Sequence, residues 1–194
     1  QSSTQEVAKQ RILLVDDSSM NRMMLSEILG ADYRILEAEN GAECLDMMKG
    51  YAGDVALVLL DINMPVMDGY EVLKTMNANH SIEDVPVIMI SSEDSEESIR
   101  KVYELGASDY VTRPFDAKVV YRRVSNTIKL YAKQRRLVQM VSDQIRAREQ
   151  NTTMLVSVLS QIVEFRNGES GSHLRHIRVI TELLLGRLLE VSKA

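Results

Sequence analysis

Acidic, hydroxyl and basic side chains stand at or just after the ends of several short apolar runs in this 194-residue chain. The residues concerned are Asp16, Asp17, Asp61, Ser91 and Arg113. Two carboxylates about 4 Å apart repel by about 1 kcal/mol in water and by about 4 kcal/mol at an effective dielectric constant near 20. Three converging carboxylates therefore need a cation between them, and hard oxygen ligands of this kind suit Mg²⁺ or Mn²⁺.

A divalent cation held by carboxylates keeps room for a phosphate oxygen, which indicates phosphoryl chemistry. With the cation and Arg113 neutralising the phosphoryl oxygens, Asp61 is the natural in-line nucleophile and would form an aspartyl phosphate. Taken singly, each residue has a structural alternative: Asp17 could cap a helix, Asp61 could be a turn residue, and Ser91 could be an N-cap. Their joint placement at the ends of apolar runs favours the chemical interpretation.

The elements that would position these residues repeat between residue 11 and about residue 131. Apolar β-branched runs alternate with helix-patterned stretches, which predicts an α/β fold with a five-stranded, doubly wound parallel sheet. The predicted strands are Ile12–Val15, Tyr33–Leu36, Val55–Leu60, Val85–Ile90 and Asp109–Val111. The predicted helices are Ser18–Gly30, Gly41–Gly50, Gly69–Asn79, Ser95–Leu105 and one that begins near Asp116. Ligands of such sheets bind at the carboxyl ends of the strands, where the reactive residues stand.

A long helix is predicted to follow, because neither proline nor glycine occurs between Asp116 and Gly168. Within it, apolar positions recur in steps of three and four, which is typical of a coiled coil. The eight residues of this stripe, here called the seam, are Val138, Val141, Ile145, Arg148, Thr152, Leu155, Leu159 and Ile162. We expect a homodimer through the seam, although the stripe could instead pack on its own domain. Arg148 and Thr152 would weaken its middle.

Charge and composition exclude several functional classes. The net charge of −5 argues against a general nucleic-acid binder. Basic residues along the long helix are better explained as a solvated face: Lys133, Arg135, Arg136, Arg146 and Arg148. The longest apolar run, Val55–Leu60, is far shorter than the ~18 residues that cross a bilayer. We therefore expect a cytoplasmic protein without a membrane partner, with a disordered tail at residues 1–10 and a buried Cys44 that forms no disulfide.

The segment from residue 11 to about residue 131 resembles the receiver (CheY-like) domain of bacterial two-component response regulators. The similarity rests on residues 12–17 (ILLVDD), residues 61–69 (DINMPVMDG), Ser91 and residues 106–115 (GASDYVTRPF). The resemblance implies a flavodoxin-like fold in which Asp61 accepts a phosphoryl group from a histidine kinase. It also implies that Mg²⁺ is held by Asp16, Asp17, Asp61 and the main-chain carbonyl of Asn63.

The same resemblance assigns the switch residues. Ser91 would follow the phosphoryl group, and Tyr110 would take the aromatic switch position. Arg113 stands where the family carries lysine, and its planar guanidinium is not interchangeable with a flexible ammonium. Either Arg113 clamps the phosphoryl oxygens with two nitrogens, which we expect, or phosphorylation is weakened and another signal dominates.

Residues 163–194 resemble the opening of the HD-GYP family of metal-dependent phosphohydrolases, which hydrolyse cyclic di-GMP. Glu169 and His173 are four residues apart and would face the same side of a helical turn. The resemblance implies that both are metal ligands, with iron or manganese in a full-length output domain, although a Glu–His contact on a solvated helix has the same spacing. No His-Asp doublet and no Gly-Tyr-Pro triplet occurs, so these residues form a short helical fragment without a complete hydrolase site.

The sequence therefore predicts a response regulator whose phosphorylation at Asp61 switches a dimeric helical output, with a cyclic di-GMP phosphodiesterase as the full-length form. One alternative keeps the receiver and gives it an adaptor or DNA-binding output. Another is an aspartate-nucleophile phosphatase, a class that places a second acid two residues after the nucleophile. Here that position is Asn63, which cannot serve as a general acid.

Overall fold

The computed structural model of the chain describes residues 9–51, 53–114, 116–167, 178–179 and 181–182. Five parallel strands form one sheet in the order β2-β1-β3-β4-β5. The strands are β1 (Arg11–Val15), β2 (Arg34–Ala38), β3 (Val55–Asp61), β4 (Val87–Ser91) and β5 (Asp109–Thr112). The predicted five-stranded parallel sheet of the flavodoxin-like receiver fold is confirmed.

Helices pack against both faces of this sheet. They are α1 (Ser19–Leu29), α2 (Gly41–Gly50), α3 (Gly69–Ala78), α4 (Ser81–Asp84), α5 (Glu96–Glu104) and α6 (Ala117–Asn167). Alternate residues of the central strands point to opposite faces, so that Leu13 and Leu60 join one apolar cluster while Leu14 and Leu59 join the other. The first cluster includes side chains from α2, α3 and α5, and the second includes side chains from α1 and the first turns of α6.

Capping side chains explain where α1, α3 and α5 begin. Ser18 caps α1, where its Oγ accepts from the N–H of Asn21 at 3.4 Å. Asp68 caps α3 through a reciprocal capping box with Glu71. Ser95 caps α5. These caps fix where the loops after β1, β3 and β4 end, and those loops carry the candidate site.

Two strands differ from the prediction for local reasons. The N–H of Tyr33 still bonds to the carbonyl of Leu29 at the end of α1, so β2 begins one residue later than predicted. The four-residue helix α4 was missed, and its C-cap is Val85. Because Val85 closes that helix and Pro86 has no N–H to donate, β4 begins at Val87.

The chain divides into two units, Gln1–Arg135 and Arg136–Ala194. The predicted long helix is confirmed as α6. In the second unit, the six apolar residues of the seam are each more than half exposed. The domain boundaries expected at residues 10, 131 and 162 stay predictions. Residues 1–8 of the expected tail and most of the expected helical fragment at 163–194 lie outside the described residues.

The structure also tests predictions about the burial of Cys44, the exposure of the basic residues on α6 and the lack of a membrane-spanning helix. Cys44 is buried and its thiol is free, as expected, and burial raises the pKa of that thiol to about 12. The basic residues Lys133, Arg135 and Arg136 are exposed, as a solvated face requires. Among the described residues, no helix has the length and hydropathy that crossing a bilayer requires.

Candidate functional site

Three carboxylates meet at the carboxyl ends of β1 and β3. These strands pair in parallel with Val15 opposite Leu60, so the residues that follow, Asp16 and Asp61, stand side by side. Both are buried, with 1% and 4% exposure, whereas Asp17 is exposed. One oxygen from each of the three lies within 4.8 Å of the others. The structure therefore brings together the acidic residues that the sequence placed at separate strand ends.

Arg113, which follows β5, bridges two of these carboxylates. Its Nη1 donates to Oδ1 of Asp61 at 3.0 Å, and its Nη2 donates to Oδ2 of Asp16. Its backbone N–H donates to the carbonyl of Ser91 at 2.7 Å, which fixes the start of the side chain relative to β4. The positive charge partly offsets the mutual repulsion of the two buried acids.

Two residues of α1 hold Asp16 in place, and sequence reasoning missed both. Nδ2 of Asn21 donates to each carboxylate oxygen of Asp16 at 3.1 Å. The buried Arg22 donates from Nη1 to the main-chain carbonyl of Asp16 at 2.8 Å, and it is itself fixed by Glu37 and Glu39, each at 2.9 Å. Asn21 and Arg22 lie five and six residues after Asp16, in the first turns of the helix that follows. This spacing is the sequence feature that could have identified them as partners of Asp16.

Burial gives Asp61 an unusual protonation equilibrium. It raises the pKa of Asp61 to about 6, against an ordinary value of 3.8. Arg113 opposes this rise through its positive charge, and the neighbouring Asp16 reinforces it. A divalent cation beside Asp61 would favour the ionised carboxylate, which is the form able to act as a nucleophile.

Gly69 allows the backbone to pass close to Asp61. A Cβ at position 69 would lie 2.4 Å from the main-chain oxygen of Asp61 and 3.0 Å from Cα of Ile62. The N–H of Gly69 also donates to the carbonyl of Ile62 at 2.9 Å. No chemistry is expected of this glycine from the sequence, and it touches no reacting group. Its role is to leave room for the turn that carries Asp61.

Ser91 and Tyr110 are both bonded to one residue of the loop between β4 and α5. The N–H of Glu93 donates to Oγ of Ser91 at 3.0 Å, while the hydroxyl of Tyr110 donates to the carbonyl of Glu93. Burial raises the pKa of Tyr110, so its phenol keeps its proton. The alternative that Ser91 caps the following helix is wrong, because Ser95 occupies that position.

The donor set at the strand ends fits a hard divalent cation. Carboxylate oxygens from Asp16, Asp17 and Asp61 converge, and Mg²⁺ prefers oxygen ligands in small numbers together with water. Asn63 lies two residues beyond β3 with an exposed side chain. The second pair of metal ligands expected from the sequence, Glu169 and His173, lies outside the described residues.

Comparison with known proteins decides what kind of domain carries this site. Residues 12–125 match the response regulator receiver domain. The chain belongs to this family. It is 40% identical over 123 residues to the chemotaxis protein CheY of Halobacterium salinarum, an alignment that covers 63% of this chain and 98% of the relative.

A longer match extends past the receiver. The chain is 31% identical over 198 residues to a probable cyclic di-GMP phosphodiesterase of Vibrio cholerae, which covers 98% of this chain. It spans 44% of that protein, so less than half of the relative is represented. The expected receiver domain of a two-component response regulator is confirmed, and a probable cyclic di-GMP phosphodiesterase is among its relatives.

Solved structures include receivers similar to this one. The CheX–CheY–BeF3–Mg²⁺ complex of Borrelia burgdorferi aligns with a TM-score of 0.58 and 29% identity, covering 61% of this chain and 89% of that chain. The BeF3-activated DrrB receiver domain aligns with a TM-score of 0.56 and 27% identity, covering 62% and 98%. Receiver domains are phosphorylated by histidine kinases and bind Mg²⁺ at an acidic pocket, which here corresponds to Asp16, Asp17 and Asp61.

Proposed function

We propose that Asp61 is the residue of this receiver that accepts the phosphoryl group. The observation that supports this most strongly is the position of its carboxylate, which is buried, flanked by two further acids and bonded to the guanidinium of Arg113. In the proposed site, Asp16, Asp17, Asp61 and the main-chain carbonyl of Asn63 hold Mg²⁺. When bound, the cation supplies positive charge for the carboxylates and for the phosphoryl oxygens.

The transfer forms a bond between a carboxylate oxygen of Asp61 and phosphorus while the bond from phosphorus to the histidine nitrogen of the kinase breaks. The leaving nitrogen keeps the electron pair of the broken bond. Arg113 then donates to the phosphoryl oxygens, and the hydroxyl of Ser91 supplies a further donor. Arg113 can do this because its guanidinium already reaches Asp61 at 3.0 Å.

The phosphoryl group would switch the domain through the loop that contains Glu93. Ser91 accepts a bond from the N–H of Glu93, so a movement of Ser91 toward the new charge would pull on Glu93, and Tyr110 is bonded to the carbonyl of that same residue. A change at Ser91 is therefore transmitted to Tyr110 and to α5, which begins three residues beyond Glu93. The added dianionic charge supplies the free energy for this change.

We further propose that α6 pairs with a second copy through the seam and that the full-length protein is a cyclic di-GMP phosphodiesterase. The exposed apolar residues of the seam and the match to the Vibrio cholerae relative support these two steps. In the full-length protein, Glu169 and His173 would contribute to a site for iron or manganese. We also propose that the protein is cytoplasmic.

Labelling with acetyl phosphate tests the assignment of Asp61. With Mg²⁺ present, the wild-type chain is expected to become phosphorylated. Asp61→Asn is not, because an amide does not attack phosphorus as a carboxylate does. Asp46→Asn is the matched control, since Asp46 lies on α2 with a largely exposed side chain. Undiminished labelling of Asp61→Asn would place the nucleophile elsewhere. Steady hydrolysis of a generic phosphate ester at about one turnover per second or faster would support the phosphatase alternative.

Sedimentation equilibrium tests the pairing of α6. Leu155→Glu adds a charge to the seam and is expected to shift the wild-type dimer toward monomer. Gln150→Glu adds the same charge on the same helix outside the seam and is expected to leave the dimer intact. A wild-type chain that stays monomeric at high concentration, or equal effects of the two variants, would contradict the proposal.

A further inference from the structure

Arg22 is a buried arginine of α1 whose three side-chain nitrogens all donate to groups at the ends of β1 and β2. Its Nε donates to Glu37 and its Nη2 donates to Glu39, each at 2.9 Å. Its Nη1 donates to the main-chain carbonyl of Asp16 at 2.8 Å and, at the longer distance of 3.5 Å, to that of Asp17. The bond to Glu37 outweighs the effect of burial and raises the pKa of Arg22, so the side chain keeps its charge.

The two carbonyls belong to consecutive residues whose carboxylates are proposed metal ligands. The pairing of β1 with β2 ends with Val15 opposite Ala38. One residue further along, the N–H of Asp16 donates to the carbonyl of Ala38 at 3.2 Å, and the carbonyl of Asp16 accepts from Arg22. Both main-chain polar groups of Asp16 are therefore bonded beyond the end of the paired strands.

A gain in stability does not explain this arrangement well. The side chains of Glu37 and Glu39 are 45% and 66% exposed, and ion pairs with exposed partners contribute little to stability. The side chain of Arg22 is only 9% exposed, so it has lost most of its hydration. Its planar guanidinium can bond two glutamates and a carbonyl in one fixed orientation, which a lysine ammonium cannot match. The geometry therefore favours orientation of the main chain as its role.

Resting on the metal role proposed for Asp16 and Asp17, we propose that Arg22 is a positioning residue of the cation site. As a cation, it does not bind Mg²⁺ itself. By holding the two carbonyls, it fixes the direction in which the two carboxylates leave the main chain. Glu37 and Glu39 hold the guanidinium in turn, so the cation site depends on a strand, β2, that contributes none of the proposed ligands.

Calorimetric titration of the whole chain with MgCl₂, without a phosphoryl donor, measures the effect of Arg22→Lys. This substitution keeps the positive charge and removes the planar fork, so a change in affinity reports orientation and not charge. We expect Mg²⁺ to bind about tenfold more weakly than in the wild type, which equals about 1.4 kcal/mol. Arg11→Lys is the matched control, because Arg11 is a partly buried arginine that pairs with Asp54 at 2.7 Å at the other end of β1. Its affinity for Mg²⁺ should equal that of the wild type.

Labelling by acetyl phosphate provides a second readout, which a purely structural role would not change. The Mg²⁺ concentration that gives half the maximal labelling rate should rise about tenfold in Arg22→Lys. The rate at saturating Mg²⁺ should stay within about twofold of the wild type, because Asp61 and Arg113 are unchanged.

If Arg22→Lys does not fold, Glu37→Gln loosens the same guanidinium and should also weaken Mg²⁺ binding. Its matched control is Asp54→Asn, which removes the acidic partner of Arg11 and should leave the affinity unchanged. Affinities equal to that of the wild type, or equal losses in a variant and its control, would overturn the role of Arg22 and leave Asp61 as the phosphoryl acceptor. If the wild type itself binds no Mg²⁺ at millimolar concentration, the proposed function falls as well.

Discussion

Replacing Asp61 by asparagine is expected to stabilise the metal-free protein at neutral pH, although it removes the proposed nucleophile. Burial raises the pKa of Asp61 to about 6, while the ordinary value, taken for the unfolded chain, is 3.8. The folded state therefore holds the proton more tightly than the unfolded state. Since the unfolded state binds fewer protons between these two values, the free energy of unfolding falls as the pH rises from about 4 to about 6.

The size of this effect follows from the shift. About two pKa units at 1.36 kcal/mol per unit give about 3 kcal/mol at neutral pH, and the 4% exposure of Asp61 leaves little screening by solvent. Asparagine has nearly the same shape and carries no charge, so Asp61→Asn escapes this penalty. Its stability advantage over the wild type should grow by about 1 kcal/mol between pH 5 and pH 7.5.

Urea unfolding followed by circular dichroism, with EDTA present, measures this difference at both pH values. Asp46→Asn is the control, because the side chain of Asp46 is 78% exposed and should show no such dependence on pH. Saturating Mg²⁺ should shrink or reverse the advantage of Asp61→Asn, since a bound cation stabilises the folded wild type. A variant that is less stable than the wild type at pH 7.5, or a difference that does not change with pH, would show that burial of the Asp61 charge does not destabilise the fold.

Two further substitutions test how the site is built. Gly69→Ala should lower the free energy of unfolding in urea titrations by about 1–3 kcal/mol, because the new Cβ would lie 2.4 Å from the main-chain oxygen of Asp61. The same clash should slow labelling by acetyl phosphate. An unchanged free energy of unfolding would contradict this, since it would mean that the turn makes room for the Cβ. Asn63→Ala should leave the Mg²⁺ affinity measured by calorimetry unchanged, because only the main-chain carbonyl of Asn63 is proposed as a ligand. A large loss of affinity would instead indicate that the Asn63 side chain binds the cation.

Much of the receiver fold could be predicted from the sequence because its signals are local. The continuous apolar run at Val55–Leu60 is typical of a strand that helices cover on both faces, and β3 contains all of it. The predicted helix Ser95–Leu105 matches α5 together with its two capping residues, although Ser91 and not Ser95 was considered as its N-cap. Because parallel strands share one carboxyl edge, the convergence of Asp16 and Asp61 followed from the order of elements alone.

The rest depends on contacts between residues that are distant in sequence. The bridge from Arg113 to Asp16 spans 97 positions, and no local pattern shows that one guanidinium bonds two acids. The role of Gly69 depends on how closely the main chain of Asp61 passes, which sequence spacing does not reveal. Helix α4 was missed because four residues are too few to show a helical period.

Direct mapping of the phosphorylated residue tests whether Asp61 accepts the phosphoryl group. The chain is incubated with acetyl phosphate and Mg²⁺, the acyl phosphate is reduced with borohydride, and the modified residue is located by mass spectrometry of proteolytic peptides. We expect modification at Asp61 that depends on the cation. Modification of a different residue, or none at Asp61 with Mg²⁺ at saturation, would contradict it.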